Sequence, residues 1–485
     1  MKGVKELEVE PRGGLGKLHT RYVVCILGSI GMGIIYGLKV NFHVAIVSMV
    51  NYTAVGGSEH GNSDSEDGPF VWNALIQGLL LSAYFWGYIV SELPGGKLAE
   101  SYSAKWVMFG AVAINVVAVL LTPICAQLHF SIVIVLRVLQ GLGGGVTFPA
   151  MHCLLAHWAP PTERSVMSSI VYSGTALGSV IFLLVSGKIA ASLGWELIFY
   201  IEGGVSALWL IFWGILAADN PSLEKYISPQ ERDLINLSLH QDDPESVHGG
   251  RKASVPWKAI FLSPAFLAIL IAHTCSNWGW YMVLVELPLY MKSVLKFKMS
   301  ENALLTALPF FTMWIFSIIF SKVLDTFREK GLITTTTARK IATGVASLGP
   351  LVCFVLLCYI GGSVAGVILM TLAVTAIGGM FSGFLSNHID ISPNFAGTLV
   401  AITNTVATIP GIAVPFVVNT LTAKDPSITS WRIIFWITVT LFAIEFIVYT
   451  IFGSGEEQPW NNPNATAEAE SQPLKPDKAK AAETA

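Results

Sequence analysis

About twelve apolar runs, each long enough to cross a bilayer, punctuate this chain. They lie near residues 22–50, 73–93, 105–126, 131–156, 166–187 and 196–217, then 262–290, 302–321, 341–360, 364–386, 395–421 and 433–453. Hydrocarbon offers no partner to a backbone N–H or C=O, so runs of this length must satisfy their own hydrogen bonds as helices. The expected fold class is therefore an all-α membrane protein. Composition agrees, with 53% hydrophobic and 13% charged residues and a mean hydropathy of +0.61, far from a soluble domain.

A polar stretch from Asp219 to Lys258 divides the runs into two sets of six. The expected organisation is a cytoplasmic tail (1–21), a six-helix bundle (22–217), a linker (218–261), a second six-helix bundle (262–453) and a tail (454–485). The last segment is rich in Pro, Ala, Glu and Lys and is expected to be disordered. Ser228-Pro229 followed by Glu231 marks the start of a short surface helix in the linker.

Basic residues set the orientation. Lys2, Lys5, Arg12, Lys17 and Arg21 precede the first run, and Lys97, Lys105, Arg164, Arg328, Lys330, Arg339 and Lys340 fall on the same side. The segment from Asn51 to Val71 has no Lys or Arg but carries Glu59, Asp64, Glu66 and Asp67. Both termini are expected in the cytoplasm, against the dissent of Lys292, Lys296 and Lys298. Asn51-Tyr-Thr53 is then a glycosylation acceptor on the outer side. The six cysteines lie in apolar stretches without metal spacing, so neither a disulfide framework nor a metal site is expected. No nucleophile elbow or Gly-rich phosphate loop appears, which argues against an enzyme and against ATP-driven chemistry. No basic stripe for nucleic acid appears either.

One charge stands out. Arg137 lies inside the fourth run, followed by Gln140 and the glycines 141, 143, 144 and 145. A guanidinium keeps its proton, and a charge inside a membrane is costly unless it faces a cavity or the bundle interior. Gly141 and Gly145 have the small-xxx-small spacing of close helix contact. At 1.5 Å per residue, Lys39 in the first run lies about 16 Å from the outer end and Arg137 about 9 Å, so the two share the outer half. Both are candidate anion-binding residues, with Gln140 on the face of Arg137 and His43 one turn beyond Lys39. His273, Asn277 and Tyr281 form a polar stripe on the seventh run, available to substrate or to a sodium ion. Asn404 and Pro410 in the eleventh run point to a broken helix whose carbonyls could hold a cation, which makes Asn404 and His273 candidate coupling residues. His388 and Asp390 close the tenth run on the cytoplasmic side, where gating is the expected role, whereas Glu202 and Glu286 read as interfacial.

The six-loop-six layout is that of a major facilitator fold, whose halves rock about a midplane site. Gly95-Gly-Lys-Leu-Ala-Glu100-Ser-Tyr-Ser-Ala-Lys105 resembles the loop after the second span of that superfamily. It matches at Gly96, Leu98, Ala99, Glu100 and Lys105, and departs at Ser101, Ser103 and Ala104. Glu100 and Lys105 are accordingly gating candidates, with the acid meeting the positive end of a helix in the other half.

Leu38-Lys-Val-Asn-Phe-His43, Phe85-Trp-Gly-Tyr88, Phe148-Pro-Ala-Met-His152, Trp158-Ala-Pro-Pro-Thr-Glu-Arg-Ser165, Asn387-His-Ile-Asp-Ile391 and Gly453-Ser-Gly-Glu-Glu-Gln-Pro-Trp460 resemble the solute carrier 17 family over nearly the whole chain. Arg137 matches that family's fourth-span arginine, and Lys39 replaces its first-span arginine. The fourth-span carboxylates tied to proton coupling in the sialic acid and glutamate branches fall at Gln140 and Gly144. The glutamate branch's second-span histidine falls at Leu81 and its seventh-span arginine at Ser276. The resemblance thus implies a sodium-coupled symporter of inorganic phosphate or a small organic anion in the plasma or endolysosomal membrane, and a monomer is the expected state though the sequence does not fix it. The alternative it leaves is a proton- or voltage-driven vesicular or lysosomal organic anion carrier, and a more distant one is a channel or sensor.

Overall fold

A computed structural model of the chain describes residues 19–51, 54, 68–239, 255–295, 299–422 and 427–461. Among the described residues twelve long helices cross the molecule in two sets. The first set is α1 (Thr20–Met49), α2 (Ala74–Ser101), α3 (Ala104–Leu128), α4 (Phe130–Trp158), α5 (Arg164–Leu193) and α6 (Trp195–Leu216). The second is α7 (Pro264–Ser293), α8 (Met299–Glu329), α9 (Thr335–Tyr359), α10 (Ser363–Ile391), α11 (Pro393–Thr422) and α12 (Ile428–Phe452). Ten of them are long and apolar enough to span a membrane by composition, and α2 and α7 complete the two bundles. Large apolar side chains such as Ile211, Phe212 and Ile215 on α6 and Ile447 and Ile451 on α12 are more than half exposed, as a lipid-facing surface requires.

Three helices are interrupted where the sequence denies them a continuous ladder. α4 breaks at Val146, between the glycine run and Pro149, whose ring and missing N–H forbid a regular turn. α10 tightens into a 3-10 turn at Gly378–Phe381. α11 breaks at Thr408, just ahead of Pro410. Close packing of α2 on α4 depends on glycine: a Cβ at Gly141 would stand 1.9 Å from the Tyr84 carbonyl oxygen.

The halves meet mainly through α2 on α11, α5 on α8 and the second part of α4 on α11. The ends of the bundle nearest the linker are tied down. The linker helix Pro229–Leu239 begins with Ser228 capping Glu231, whose carboxylate accepts from Thr20 N (3.0 Å) and Arg21 Nη1 (3.0 Å). Arg21 Nε also donates to Glu163 in the turn before α5 (2.7 Å). Burial pushes the Glu163 carboxyl up, but the hydrogen bond and charge of Arg21 outweigh it and hold the group below the ordinary range.

Several boundaries differ from the sequence reading. The first helix starts at Thr20, inside the expected tail, and α2 continues through Pro94 to Ser101, eight residues past the expected end at 93. Residues 454–461 are not a loose tail: Gln458 N donates to Ile391 O (2.9 Å), and Asn461 accepts from Ser392 Oγ (2.7 Å). Residues 462–485 lie outside the described residues. All six cysteines are free thiols.

Candidate functional site

α1 and α4 bring Lys39 and Arg137 together, as their depths in the sequence require. Arg137 Nη2 donates to the Lys39 carbonyl (3.4 Å) and Nη1 to Gln140 Oε1 (2.8 Å). Lys39 is 5% and Arg137 1% exposed. The Lys39 ammonium does not snorkel outward but sits in an aromatic box, 4.5 Å from the ring centre of Phe85 and 5.2–5.7 Å from those of Tyr36, Tyr84, Tyr281 and Tyr88. The Arg137 guanidinium lies 4.8 Å from Phe42 and 5.2 Å from Tyr84, so Tyr84 is common to both cations. Cation–π contacts of this kind relieve part of the desolvation cost. Among the described residues neither cation has a salt-bridge partner, and Arg137 Nε and the Tyr84 hydroxyl are buried without hydrogen-bond partners.

Tyr84 also fills the space in front of Gly144. A Cβ at Gly144 would stand 2.0 Å from the Tyr84 hydroxyl, so the space a longer side chain would need at 144 is already filled.

Beside the aromatic box is a small cavity of about 30 Å³ between the two halves, bounded by Tyr36 on one side and by His273, Asn277, Tyr281 and Asn404 on the other. The polar stripe of α7 and Asn404 of α11, both singled out in the sequence, thus converge on one space. His43, by contrast, is exposed one turn past Lys39 and is not among the residues bounding the cavity. Two carbonyls at the break in α11 already accept side-chain hydrogen bonds: Asn277 Nδ2 donates to Ala407 O (2.9 Å) and Thr408 Oγ1 to Asn404 O (2.9 Å). The Asn404 side chain instead donates to the Tyr88 hydroxyl (3.0 Å) and to Glu92 Oε1. His273 meets Thr403 Oγ1 (3.1 Å), which His388 also contacts (2.8 Å). His152 links Phe148 O and Leu385 O at 3.0 Å each, across the two halves.

On the linker side of this cavity the halves interlock through charge. Glu100, near the end of α2, accepts from Thr398 N (2.6 Å) and Thr398 Oγ1 (2.7 Å) in the first turns of α11, where backbone donors and the helix dipole favour an anion. Asp325, near the end of α8, does the same for α5 by accepting from Val166 N (2.8 Å). Corresponding helices of the two bundles thus cap each other's partners. Between these caps Asp390 binds Arg164 (2.8 Å) and Arg339 (2.6 Å), and Arg339 reaches across to Ser165 Oγ (2.6 Å). Lys105 takes no part: its ammonium donates to Gly214 O (2.9 Å) within its own half, closing the end of α6.

Sequence reasoning missed Glu92, Tyr84, Arg339 and Asp325. Glu92 is fully buried and would have been flagged by the rule that found Arg137, but an expected span ending at 93 put it at the membrane surface. Glu202 was read as interfacial; it is buried and accepts from Asn41 Nδ2 (2.9 Å) and Ser186 Oγ (2.6 Å), clamping three helices. Asn51 is half-buried just after α1, and its side chain accepts from Ala54 N (2.7 Å).

A family model described as Major Facilitator Superfamily matches residues 23–415. Human sialin is 37% identical over 455 residues, covering 91% of this chain and 90% of that protein. A Drosophila melanogaster protein named provisionally as an inorganic phosphate cotransporter is 36% identical over 464 residues, with 92% and 87% covered. Human vesicular glutamate transporter 2 is 33% identical over 453 residues, with 93% and 77% covered. Among solved structures, the proton:xylose symporter XylE superposes with a TM-score of 0.69 at 14% identity over 92% of this chain and 99% of that one, a likeness of fold alone.

Proposed function

This chain belongs to the Major Facilitator Superfamily and, within it, to the solute carrier 17 family of transporters, and on that premise we propose that it is a secondary active transporter of anions. The observation that carries the reading is the pairing of Lys39 and Arg137 at one aromatic wall without a carboxylate on either. Two cations sharing a sealed site repel each other, and the deficit is made good by an anion. The open Arg137 Nε and Tyr84 hydroxyl are donors suited to phosphate or carboxylate oxygens.

The substrate in this reading is inorganic phosphate or a small organic anion. Relatives named for phosphate, for glutamate and as sialin span that range. With both termini taken as cytoplasmic from the placement of basic residues, the interlocked linker end is the inner side, and rocking of the halves alternates access. The first reading of the coupling cation is sodium, from the residues that stand at Gln140 and Gly144. One observation favours a second reading, in which protons drive the carrier: Glu92 places a buried carboxyl beside Asn404.

The test is uptake into proteoliposomes of radiolabelled phosphate, urate, sialate and glutamate, each crossed with sodium and proton gradients. At least one anion should accumulate under a cation gradient. Loss of a charge-assisted contact worth about 1.5–3 kcal/mol would lower uptake roughly 10- to 100-fold in Arg137→Ala and in Lys39→Ala. Wild-type uptake in both variants would refute the site.

A further inference from the structure

We propose that Glu92 is the carboxyl that loads and releases the coupling proton in this chain. The proposal rests on the transport reading above and on its proton-driven form. Glu92 is 0% exposed. Its Oε1 accepts from Asn404 Nδ2 across the seam between the halves, and its Oε2 is buried with no hydrogen-bond partner. Thr405 stands beside it, but that hydroxyl donates to Ala401 O (2.7 Å). A carboxylate with one donor in a site closed to water is strongly disfavoured, whereas the neutral acid leaves only one O–H to place.

Its surroundings tie it to the anion site. The charged and titratable groups facing Glu92 are Lys39 and Tyr36 from α1, Tyr84 and Tyr88 from its own helix and Tyr281 from α7; among the described residues no second carboxylate faces it. α11 contributes Asn404 and Thr405, and α4 presents Gly145 against Tyr88 and Ser91. The Tyr88 ring holds the Lys39 ammonium at 5.7 Å and its hydroxyl meets Asn404, so one side chain joins the cation box to the acid.

Glu92 and Glu100 both bridge α2 to α11, so the contact at Glu92 opens when the linker side opens. Opening removes the Asn404 amide and admits water. The Oε2–H bond then breaks heterolytically, the proton passes to that water and the electron pair stays on Oε2. The new carboxylate draws on Lys39, in competition with the transported anion. Proton and anion therefore enter together and leave together.

The experiment uses the full chain in proteoliposomes with radiolabelled phosphate, sialate and glutamate, comparing wild type with Glu92→Gln. Wild-type accumulation should follow an inward proton gradient. Glu92→Gln should lose at least tenfold of it, while anion counterflow, which needs no net proton movement, falls less than threefold. Equal gradient-driven accumulation in both proteins, or wild-type accumulation set by sodium and indifferent to pH, overturns the proposal. If the wild type moves none of these anions, the transport reading fails separately. An infrared difference spectrum of wild type minus Glu92→Gln then decides the acid, because it either shows a pH-dependent carbonyl stretch of a protonated carboxyl or refutes it. Should Glu92→Gln not fold, Asn404→Ala takes its place. A shifted pH profile of accumulation supports the proposal, and an unshifted one overturns it.

Discussion

Two charged regions lie along the axis of this molecule, and they are built on opposite rules. At the linker end, Asp390 is held between Arg164 and Arg339 at 2.8 and 2.6 Å, with Glu100 and Asp325 seated on helix N-termini of the opposite half. At mid-depth, Arg137 and Lys39 are equally buried, yet aromatic faces and neutral oxygens surround them. Satisfied charge fixes one arrangement of the halves. Charge without an ionic partner fixes no such arrangement. The same residue type, arginine, is thus ion-paired at 339 and bonded only to neutral oxygens at 137, and the difference lies in what stands opposite.

The comparison is most exposed to a change at its paired end. Asp390→Asn strands two guanidinium groups, and removing one partner of a buried pair costs about 3–5 kcal/mol. The detergent-solubilised variant should therefore unfold at a clearly lower temperature, and an unchanged midpoint would show that the interlock is not satisfied charge. Arg137→Met should behave in the opposite way. It removes a charge without an ionic partner, so thermal stability should stay within about 1 kcal/mol of wild type or rise, even though anion uptake is lost. A loss as large as that of Asp390→Asn would erase the distinction between the regions.

The smallest effect concerns the rim of the paired end. Glu163 is held below its ordinary value, so its contact with Arg21 stabilises fully above the unfolded value of about 4.3 and is lost as pH falls below it. Melting temperature measured against pH should decline over that acidic window, and Glu163→Gln should flatten the decline. A steeper slope in the variant would contradict the assignment.

The architecture was legible because the bilayer leaves so few solutions: run length, a polar linker and the biased placement of basic residues sufficed for two six-helix bundles. The cation pair was legible too, since charge inside hydrocarbon is rare and helical rise fixes depth. Glu92 was lost to a boundary error, as α2 carries on through Pro94 to Ser101. The links from Arg339 to Asp390 and from Asp325 to α5 join residues 51 and 159 positions apart, and no local pattern announces them. Lys105 illustrates the converse: its place in a recognisable loop suggested an inter-half role, whereas its ammonium found a nearer carbonyl.

The reciprocal caps have a consequence for tightness. Glu100 and Asp325 belong to equivalent helices of the two bundles and grip opposite sides of one seam. Releasing one alone forfeits its helix-end contact while the other still bars the way, so a half-released carrier has lost binding and gained no passage. The closed end therefore behaves as a lock with several keys, in which the two caps and the Asp390 pair between them must let go in the same event before the seam parts.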